Sequence, residues 1–330
     1  MRPVVVATRA LPEPSLSTLE PDFDLRVMGY APSELELAAE IPEADALITL
    51  VSDPVTEKVL RAGNNLKIVA QFGVGIDNID RSAAAARGIV VTHTPNVLTD
   101  ATADLTMALL LSLTRRIVEG DRMVRAGGFA GWAPELLLGT ELRGKTLGIA
   151  GPGRIGKAVA RRAKSFGMNV IAYGRSPRDE TDPDDPPRVS FDDLLRRSDV
   201  ISIHLPLTEE TRRLFRLDTF AKMKPGSFLI NTARGQIVEE VSLIRALDSG
   251  QLAGAGLDVF ENEPGVTPGL LDEDRVVLTP HAGSATLETR REMARMAVED
   301  VRRVLSGEKP LHPAPAEKLS ASSAKGKGDR

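Results

Sequence analysis

The stretch from Thr146 to Ser176 constrains the fold of this chain most, because it predicts a strand, a glycine turn, a helix and a second strand. Residues 146–150 form a short apolar run typical of a buried parallel strand. Gly151 to Gly156 then matches the pattern G-x-G-x-x-G, and apolar residues recur at helical spacing from Lys157 to Phe166. Residues 169–173 form the next apolar run, which completes a βαβ unit.

The three glycines of this turn have separate physical uses. Gly151 permits a tight turn, Gly153 lets a pyrophosphate approach the backbone, and Gly156 lets the helix pack closely on the strand. The N-terminus of the helix adds unpaired N–H groups and a partial positive charge. In this βαβ context the glycine pattern indicates a dinucleotide site rather than an ordinary loop.

Composition excludes several classes of protein. The chain has 330 residues, enough for two domains, and its 42% hydrophobic and 27% charged residues are ordinary for a soluble globular protein. It has no cysteine, which excludes disulfides, thiolate metal sites and cysteine nucleophiles, and we expect no bound metal. The net charge of -4 points to neither a nucleic-acid nor a membrane partner. No apolar segment of signal-peptide form follows Met1, so we expect a cytoplasmic protein.

The first hundred residues alternate strand-like and helix-like runs, which favours a parallel sheet covered by helices on both faces. Residues 99–125 form one long helical pattern that leaves this first domain for the second. The stretch from Ser176 to Val189 is rich in Pro, Asp and Arg, and we interpret it as a solvated loop without chemistry. The strand-like runs of the first domain are 4–7, 24–27, 46–50, 68–71 and 89–92.

Three residues at the ends of predicted strands could carry chemistry. Hydride transfer to a carbonyl needs a proton donor and a cation. Arg234 and His281 each follow a strand, and Glu263 lies in a loop after the strand that ends at Val259. Because α/β sheets bind ligands at the carboxyl ends of their strands, these residues form a plausible acid–base set. His204 also ends a strand, and there we favour a structural role.

Two features stay open on the residues alone. Residues 71–77 follow a strand and contain two glycines, which suits a βα turn and a nest of N–H groups for an anion equally well. Trp132 is the single tryptophan of the chain, and such a residue is more often used for packing than for function.

Several segments together resemble the D-isomer-specific 2-hydroxyacid dehydrogenases over residues 1–312, most of all their glyoxylate and hydroxypyruvate reductase branch. The resemblance implies an α/β fold of two doubly wound parallel-sheet domains, a Rossmann cofactor domain and a flavodoxin-like substrate domain, with the active site in the cleft. Besides the glycine turn, the matching segments are Gly73–Asp80, Gly144–Ile149, Asn231–Gly235, Leu257–Pro264 and Thr279–Thr286.

The same resemblance implies domain boundaries. Residues 1–98 and 285–312 would form a discontinuous substrate domain, and residues 99–284 would form the cofactor domain. Residues 313–330 contain almost nothing to bury, so we expect a disordered tail there.

The resemblance also implies roles for single residues. Arg234 would bind the carboxylate and the carbonyl oxygen of the substrate, and His281 would be the acid–base residue, paired with Glu263. Backbone N–H groups of Val74 and Gly75 would hold the substrate carboxylate, which favours the anion nest. Asp258 would bind the nicotinamide carboxamide. The expected cofactor-binding residues are Val74, Thr102, Gly151, Gly153, Arg154, Ile155, Gly156, Gly174, Arg175, Ser176, Leu205, Pro206, Thr211, Thr232, Ala233, Arg234, Asp258, His281 and Gly283.

The end of the second strand of the βαβ unit predicts NADPH rather than NADH. NAD-specific enzymes place an acidic residue there for the ribose, and Gly174 stands at that position. Arg175 can bind a 2′-phosphate by a charge-assisted pair, and Ser176 can add a hydrogen bond. Arg178 is near enough in sequence to assist. We therefore expect NADP(H) to be preferred over NAD(H).

The expected activity is the NADPH-dependent reduction of a small 2-oxo acid, glyoxylate or hydroxypyruvate, to the D-2-hydroxy acid. The nearest alternative is a bulkier 2-oxo acid or a 2-keto sugar acid as substrate. A dinucleotide-sensing, corepressor-like scaffold is a less favoured class, because the acid–base set is intact.

We expect a homodimer, since Leu136 to Leu138 beside Trp132 need a partner surface. In that dimer Trp132 would reach the substrate site of the neighbouring subunit.

Overall fold

The computed structural model describes residues 2–175 and 177–315, in which the chain forms two compact units. The first unit consists of Met1–Val97 with Leu287–Arg330, and the second of Leu98–Thr286. Met1, Ser176 and residues 316–330 lie outside the described residues. Each unit is a separate α/β domain.

The regular elements alternate along most of the chain. The strands are β1 (Val4–Ala7), β2 (Asp24–Val27), β3 (Ala46–Leu50), β4 (Ile68–Phe72), β5 (Val90–Thr92), β6 (Thr146–Ala150), β7 (Asn169–Tyr173), β8 (Val200–Ile203), β9 (Ser227–Asn231), β10 (Leu252–Leu257) and β11 (Val276–Leu278). The helices are α1 (Glu34–Glu40), α2 (Glu57–Ala62), α3 (Arg81–Ala86), α4 (Thr99–Thr114), α5 (Ile117–Arg125), α6 (Arg154–Ser165), α7 (Phe191–Arg197), α8 (Leu217–Phe220), α9 (Glu240–Asp248), α10 (Pro268–Leu271) and α11 (Leu287–Leu305). Within the described ranges, no helix is both long and apolar enough to cross a membrane.

The first unit is built on a five-stranded parallel sheet with the strand order β2-β1-β3-β4-β5. The helices α1, α2 and α3 pack on one face, where Leu37, Val59 and Ala84 are fully buried. The helix α11 packs on the other face through residues such as Ala294 and Val301. This order is that of flavodoxin-like sheets, so the predicted fold of this domain is confirmed.

The second unit is built on a six-stranded parallel sheet with the order β11-β10-β9-β8-β6-β7. Arg188 adds a parallel bridge to Ala172 on the outer edge of β7. The order reverses between β6 and β8, which is the switch point where open α/β sheets bind ligands. The predicted doubly wound cofactor domain is therefore confirmed as a fold.

Side-chain caps show where several helices begin, and α6 differs from them. The hydroxyl of Ser33 accepts a hydrogen bond from the N–H of Glu36 at the start of α1, and Ser190 does the same for Asp193 in α7. The N-cap of α6 is Gly153, which has no side chain to pair with the first N–H groups. These groups at the switch point are therefore available to a ligand.

The single helix predicted over residues 99–125 is wrong, because the structure has two helices there. Arg116, between α4 and α5, has a φ of +53° and so leaves the helical conformation. The N–H of Thr140 donates to the carbonyl of Thr114 at 2.8 Å, and a Cβ on Gly139 would lie 2.3 Å from that oxygen. The returning chain therefore binds the end of α4, which the sequence pattern of one helix does not show.

The acidic stretch after β7 is not the purely solvated loop that its composition predicts. The carboxylate of Asp185 is 1% exposed and pairs with Arg188 at 2.6 Å and with Lys157 of α6 at 3.1 Å. Burial raises the pKa of Asp185, but Arg188, the N–H of Asp179 and Lys157 outweigh burial and lower it to about 2. One buried carboxylate thus attaches this loop to the first helix of the βαβ unit.

Residues 313–315 are bound to the first unit. Asp300 of α11 is fully buried and lies 3.1 Å from the ring of His312. Beyond it, the N–H of Ala314 donates to the carbonyl of Val91 in β5 at 2.8 Å. The prediction of disorder is therefore wrong for residues 313–315, which a partner distant in sequence holds in place. The rest of the predicted tail lies outside the described residues.

Candidate active site

The glycine turn after β6 has the shape that a pyrophosphate needs. Gly151 has a φ of +99°, and a Cβ there would lie 2.7 Å from the carbonyl carbon of His204. A Cβ on Gly156 would lie 2.4 Å from the carbonyl oxygen of Gly151, so only glycine lets α6 approach this closely. Nothing lies within 4 Å of a Cβ built on Gly153, which leaves the backbone there open. These residues fit a dinucleotide phosphate at the N-terminus of α6.

The exit of β8 lies directly beside this turn. A Cβ on Gly151 would also lie 2.8 Å from the backbone nitrogen of Leu205. Thr211 closes the following turn by donating from its hydroxyl to the carbonyl of Pro206 at 2.7 Å. The predicted cofactor residues that follow β6 and β8 are therefore together at the switch point.

The end of β7 has no carboxylate at the position that would bind a ribose. Gly174 packs against Pro152, whose Cδ would lie 2.6 Å from an added Cβ. Arg175 is 77% exposed in its side chain and lies 3.4 Å from Glu210. Arg178 instead donates to the carbonyl of Asp185 at 3.1 Å. Ser176, the other residue expected here, lies outside the described residues.

The loop that carries His281 is held by one buried carboxylate, that of Asp258 after β10. Its Oδ1 accepts hydrogen bonds from the hydroxyl of Thr279 at 2.6 Å and from the N–H of Ala282 at 2.7 Å. Its Oδ2 accepts one from the N–H of Gly283 at 2.8 Å. Burial raises the pKa of Asp258, and these hydrogen bonds and the charge of His281 only partly oppose the rise. The conformation of the loop therefore depends on a carboxylate beneath it.

His281 itself has an uncommon backbone conformation, with a φ of +52°. Its N–H donates to the carbonyl of Asp258 at 2.8 Å. Its Nδ1 lies 2.8 Å from Oε2 of Glu263, and the two side chains are 34% and 28% exposed. Because Nδ1 is bound to the carboxylate, Nε2 is the nitrogen that can exchange a proton with a substrate.

Glu263 is held in the ionised form. Burial raises its pKa, but the hydrogen bond and charge of His281, the N–H of Phe260 and the charge of Arg234 outweigh burial and lower it below 4.5. Its Oε1 accepts the hydrogen bond from Phe260 at 3.0 Å. The negative charge of Glu263 therefore persists at neutral pH, directly beside the His281 ring.

Arg234 follows β9 in a turn that Asn231 stabilises. The side chain of Asn231 donates to the carbonyl of Arg234 at 2.9 Å and accepts from the N–H of Ala233 at 3.1 Å. A Cβ on Gly235 would lie 1.9 Å from the carbonyl carbon of Phe260, so the Arg234 turn and the start of the Glu263 loop are in backbone contact. The structure thus brings Arg234, Glu263 and His281 together after three neighbouring strands.

The helix α4 lies against this group of residues. The hydroxyl of Thr102 donates to the carbonyl of Gly283 at 3.2 Å, and the hydroxyls of Thr106 and Thr232 are 2.9 Å apart. Sequence reasoning expected roles for Thr102, Thr232 and Gly283 but none for Thr106 or Asn231. The signal for Thr106 was its position four residues after Thr102, on the same face of the helix.

In the first unit, the loop after β4 presents two free backbone groups. Gln71 is fully buried, and its amide donates to the carbonyl of Gly75 at 3.0 Å. The ring of His93 lies 3.0 Å from the carbonyl of Val74. Within the described residues, the N–H groups of Val74 and Gly75 donate to no protein acceptor. The loop therefore leaves two adjacent N–H groups available to an anion.

Comparison with known proteins agrees with this geometry. A family model for the NAD-binding domain of D-isomer specific 2-hydroxyacid dehydrogenases matches residues 107–283. A glyoxylate reductase of Thermococcus litoralis is 47% identical over 317 residues, which are 94% of this chain and 96% of the relative. The chain belongs to this family. It is therefore an NAD(P)-dependent oxidoreductase.

Solved structures of similar chains share the whole architecture of the family. A chain from Thermus thermophilus is 45% identical, with a TM-score of 0.89 over 96% of this chain and 100% of that one. An NADPH-dependent glyoxylate/hydroxypyruvate reductase of Sinorhizobium meliloti, in complex with NADP and malonate, is 35% identical. Its TM-score is 0.85 over 95% of this chain and 97% of that one.

The structure also shows the surroundings of Trp132 and His204, two other residues considered in the sequence. Trp132 is 84% exposed, so it does not pack within the second unit. His204 has its Nε2 2.8 Å from the hydroxyl of Ser202, and burial lowers its pKa to about 3. His204 therefore stays neutral and cannot act as a proton donor near neutral pH.

We predict that Gly153→Ala weakens dinucleotide binding without weakening the fold. An added methyl group meets no protein atom within 4 Å, and the φ of -79° suits alanine, but the methyl group occupies the space where a phosphate approaches. Affinity, measured by titration of the cofactor, should fall roughly tenfold or more, a loss of about 1.4 kcal/mol or more. The matched control is Gly156→Ala, which should lower the melting temperature because its Cβ meets the Gly151 carbonyl. An unchanged affinity in Gly153→Ala would contradict the prediction.

Proposed function

We propose that this protein reduces a small 2-oxo acid, glyoxylate or hydroxypyruvate, to the D-2-hydroxy acid with NADPH. The observation that carries the proposal is the pair of His281 and Glu263 at 2.8 Å, with the charge of Arg234 acting on the same carboxylate. Relatives named glyoxylate reductase, from 47% to 40% identical, support a substrate of the glyoxylate type. The chemistry needs a proton donor and a fixed cation, and this group of residues contains both.

Each residue of the set has a distinct task in the proposed reaction. When bound, the nicotinamide would supply the hydride that reduces the carbonyl carbon. Arg234 stabilises the negative charge that develops on the carbonyl oxygen. His281, with Nδ1 on Glu263, delivers the proton from Nε2 to that oxygen. In the oxidative direction the neutral ring takes the proton back.

Backbone N–H groups and one side chain would hold the two ligands. The pyrophosphate would bind at Gly151, Gly153 and the free N-terminus of α6. Asp258 would bind the carboxamide, since its Oδ2 accepts one protein hydrogen bond and can accept another. The substrate carboxylate would bind the N–H groups of Val74 and Gly75, which have no protein acceptor within the described residues.

We predict that His281→Ala lowers kcat for glyoxylate reduction by about a hundredfold or more, because the developing alkoxide loses its proton donor. Dinucleotide affinity should stay largely intact, since no phosphate contact is removed. The measurement is steady-state kinetics on a panel of small, bulky and sugar-derived 2-oxo acids. A higher specificity constant for a bulky member than for glyoxylate would contradict the proposed substrate. Absence of turnover on every member by the unmodified protein would contradict the proposed activity itself.

Glu263→Gln should move the pH profile of reduction to lower pH. Reduction needs a protonated His281, so the rate falls as pH rises through the titration of that ring. The Glu263 carboxylate is ionised at neutral pH because its pKa lies below 4.5, and its negative charge lies 2.8 Å from Nδ1, where it stabilises an imidazolium. Glutamine keeps a hydrogen-bond acceptor but removes the charge. The profile of kcat/KM against pH tests the pairing, and an identical profile in the variant would rule it out.

The preference for NADPH is part of the same proposal. It is supported by the absence of a carboxylate at Gly174 and by the exposed, weakly paired guanidinium of Arg175. An NADP complex of a 35% identical relative is consistent with it. Gly174→Asp is not a clean test of the preference, because its Cβ would lie 2.6 Å from Pro152.

We predict that Arg175→Ala lowers kcat/KM for NADPH roughly tenfold or more and leaves that for NADH unchanged, because the 2′-phosphate loses a charge-assisted partner. The matched control is Arg196→Ala, which removes an exposed arginine paired with Asp193 at 2.9 Å on α7. That control should leave both specificity constants unchanged. A clear advantage for NADH in the unmodified enzyme would refute the preference.

We also propose that the protein is a homodimer that associates through residues 117–138 of the second unit. Large apolar side chains are exposed along this segment, which is the pattern of a surface that another chain covers. They are Ile117, Val124, Phe129, Trp132, Leu136 and Leu138, with exposures from 37% to 84%.

Leu138→Asp should shift the protein to a monomer, because a charge would be buried without a partner in the interface. The measurement is sedimentation at micromolar concentration. Leu271→Asp is the control, since Leu271 is 60% exposed and Leu138 64%, and it lies on α10 outside the segment. Sedimentation of the unmodified protein as a monomer would contradict the proposed dimer.

A further inference from the structure

Glu240, in the first turn of α9, is a buried acid that no step of the proposed reaction uses. It is 2% exposed, although a glutamate in the first turn of a helix is ordinarily a surface residue. A carboxylate buried without hydrogen bonds costs several kcal/mol, so the partners of Glu240 show what its position serves.

Both oxygens of Glu240 bind one loop, residues 261–267, here called the Glu263 loop. Oε1 accepts a hydrogen bond from the N–H of Glu261 at 2.8 Å. Oε2 accepts a hydrogen bond from the hydroxyl of Thr267 at the other end of the loop. One carboxylate therefore holds both ends of the segment that carries Glu263.

Three other contacts of the Glu263 loop do less to fix its position. The N–H of Gly265 donates to the carbonyl of Asn262 at 2.8 Å, which shapes the loop but does not attach it to a neighbouring element. Arg213 pairs with Glu261 at 2.6 Å, but its side chain is 57% exposed, so this pair is a weak attachment. Gly235 packs against the peptide group between Phe260 and Glu261, so this contact lies at the first end of the loop alone.

We propose that Glu240 is a positioning residue that binds both ends of the Glu263 loop and thereby keeps Glu263 in contact with His281. The inference rests on the proposed function only for the role of His281 as the acid–base residue. The contacts of Glu240 do not depend on that role.

The test must follow His281 directly, because a loss of activity alone would also result from general damage. The charged groups that act at this ring are Glu263 at 2.8 Å, Asp258 beneath the loop, and Arg234 through Glu263. Substitution of Glu240 alters the identity of none of these three residues. The readout is the midpoint of the His281 imidazole signal in an NMR pH titration of the cofactor-free protein, with His281→Ala used for assignment.

Glu240→Ala should move this midpoint to lower pH, towards the midpoint of Glu263→Gln, because the released loop no longer holds the carboxylate beside the ring. Glu240→Gln should keep the midpoint of the unmodified protein. Its amide oxygen can accept from Glu261, and its amide nitrogen can donate to the Thr267 hydroxyl. Thr267→Val removes one attachment with little change of shape and should shift the midpoint in the same direction.

The matched control is Glu273→Ala. Glu273 also holds a loop, since it accepts a hydrogen bond from the N–H of Arg275 at 2.9 Å. It precedes β11, however, and so lies at the end of the sheet where the strands begin. This variant should leave the His281 midpoint unchanged.

Two results would overturn the inference. One is an unchanged midpoint both in Thr267→Val and in Glu240→Ala. If Glu240→Ala does not fold, an unchanged midpoint in Thr267→Val is sufficient. The other is a shift in Glu240→Gln as large as in Glu240→Ala, which would indicate a direct effect of charge. A protein that turns over no 2-oxo acid would refute the proposed function and leave the titration result standing, so the two failures are distinguishable.

Discussion

The parallel direction of all strands in the second sheet is the constraint on which the candidate site depends. Since β6, β9, β10 and β11 run the same way, their carboxyl ends meet at one edge. Gly151, Arg234, Asp258 and His281 each follow one of these strands, although up to 130 positions separate them in the chain. Neighbouring strands are about 4.8 Å apart, so residues just beyond three adjacent strands are within reach of one another. An antiparallel neighbour would place its exit at the opposite edge.

Buried carboxylates then fix the loops that the sheet brings together. Asp258 binds two backbone N–H groups and a hydroxyl of the His281 loop, and Glu240 binds an N–H and a hydroxyl of the Glu263 loop. Hydrogen bonds to a charged acceptor each contribute about 1.5–3 kcal/mol, several times the contribution of an exposed ion pair. Burial of the charge opposes this gain, as the raised pKa of Asp258 shows. A buried carboxylate therefore stabilises the fold only where a loop provides several hydrogen-bond donors to it.

Sequence reasoning succeeded where a local pattern determines the structure. The βαβ unit, both sheets and the family followed from apolar runs, glycine spacing and short segments that contain Arg234 and His281. It failed where a contact distant in sequence decides. The break at Arg116 depends on the chain returning at Gly139, and the order of residues 313–315 depends on β5 and on Asp300. No pattern in the sequence indicates that Glu240 is buried, because its partners lie 21 and 27 residues later in the chain.

These contacts also show whether the pair of His281 and Glu263 orders the two loops or the loops position the pair. The two side chains are 34% and 28% exposed, and a pair so accessible to water contributes about 1 kcal/mol or less. That is too little to order two loops, one of which contains a non-glycine residue with a φ of +52° that itself costs about 1–3 kcal/mol. Asp258 on one side and Glu240 on the other supply five hydrogen bonds from separate buried acids. The loops therefore hold the pair at 2.8 Å rather than the pair holding the loops.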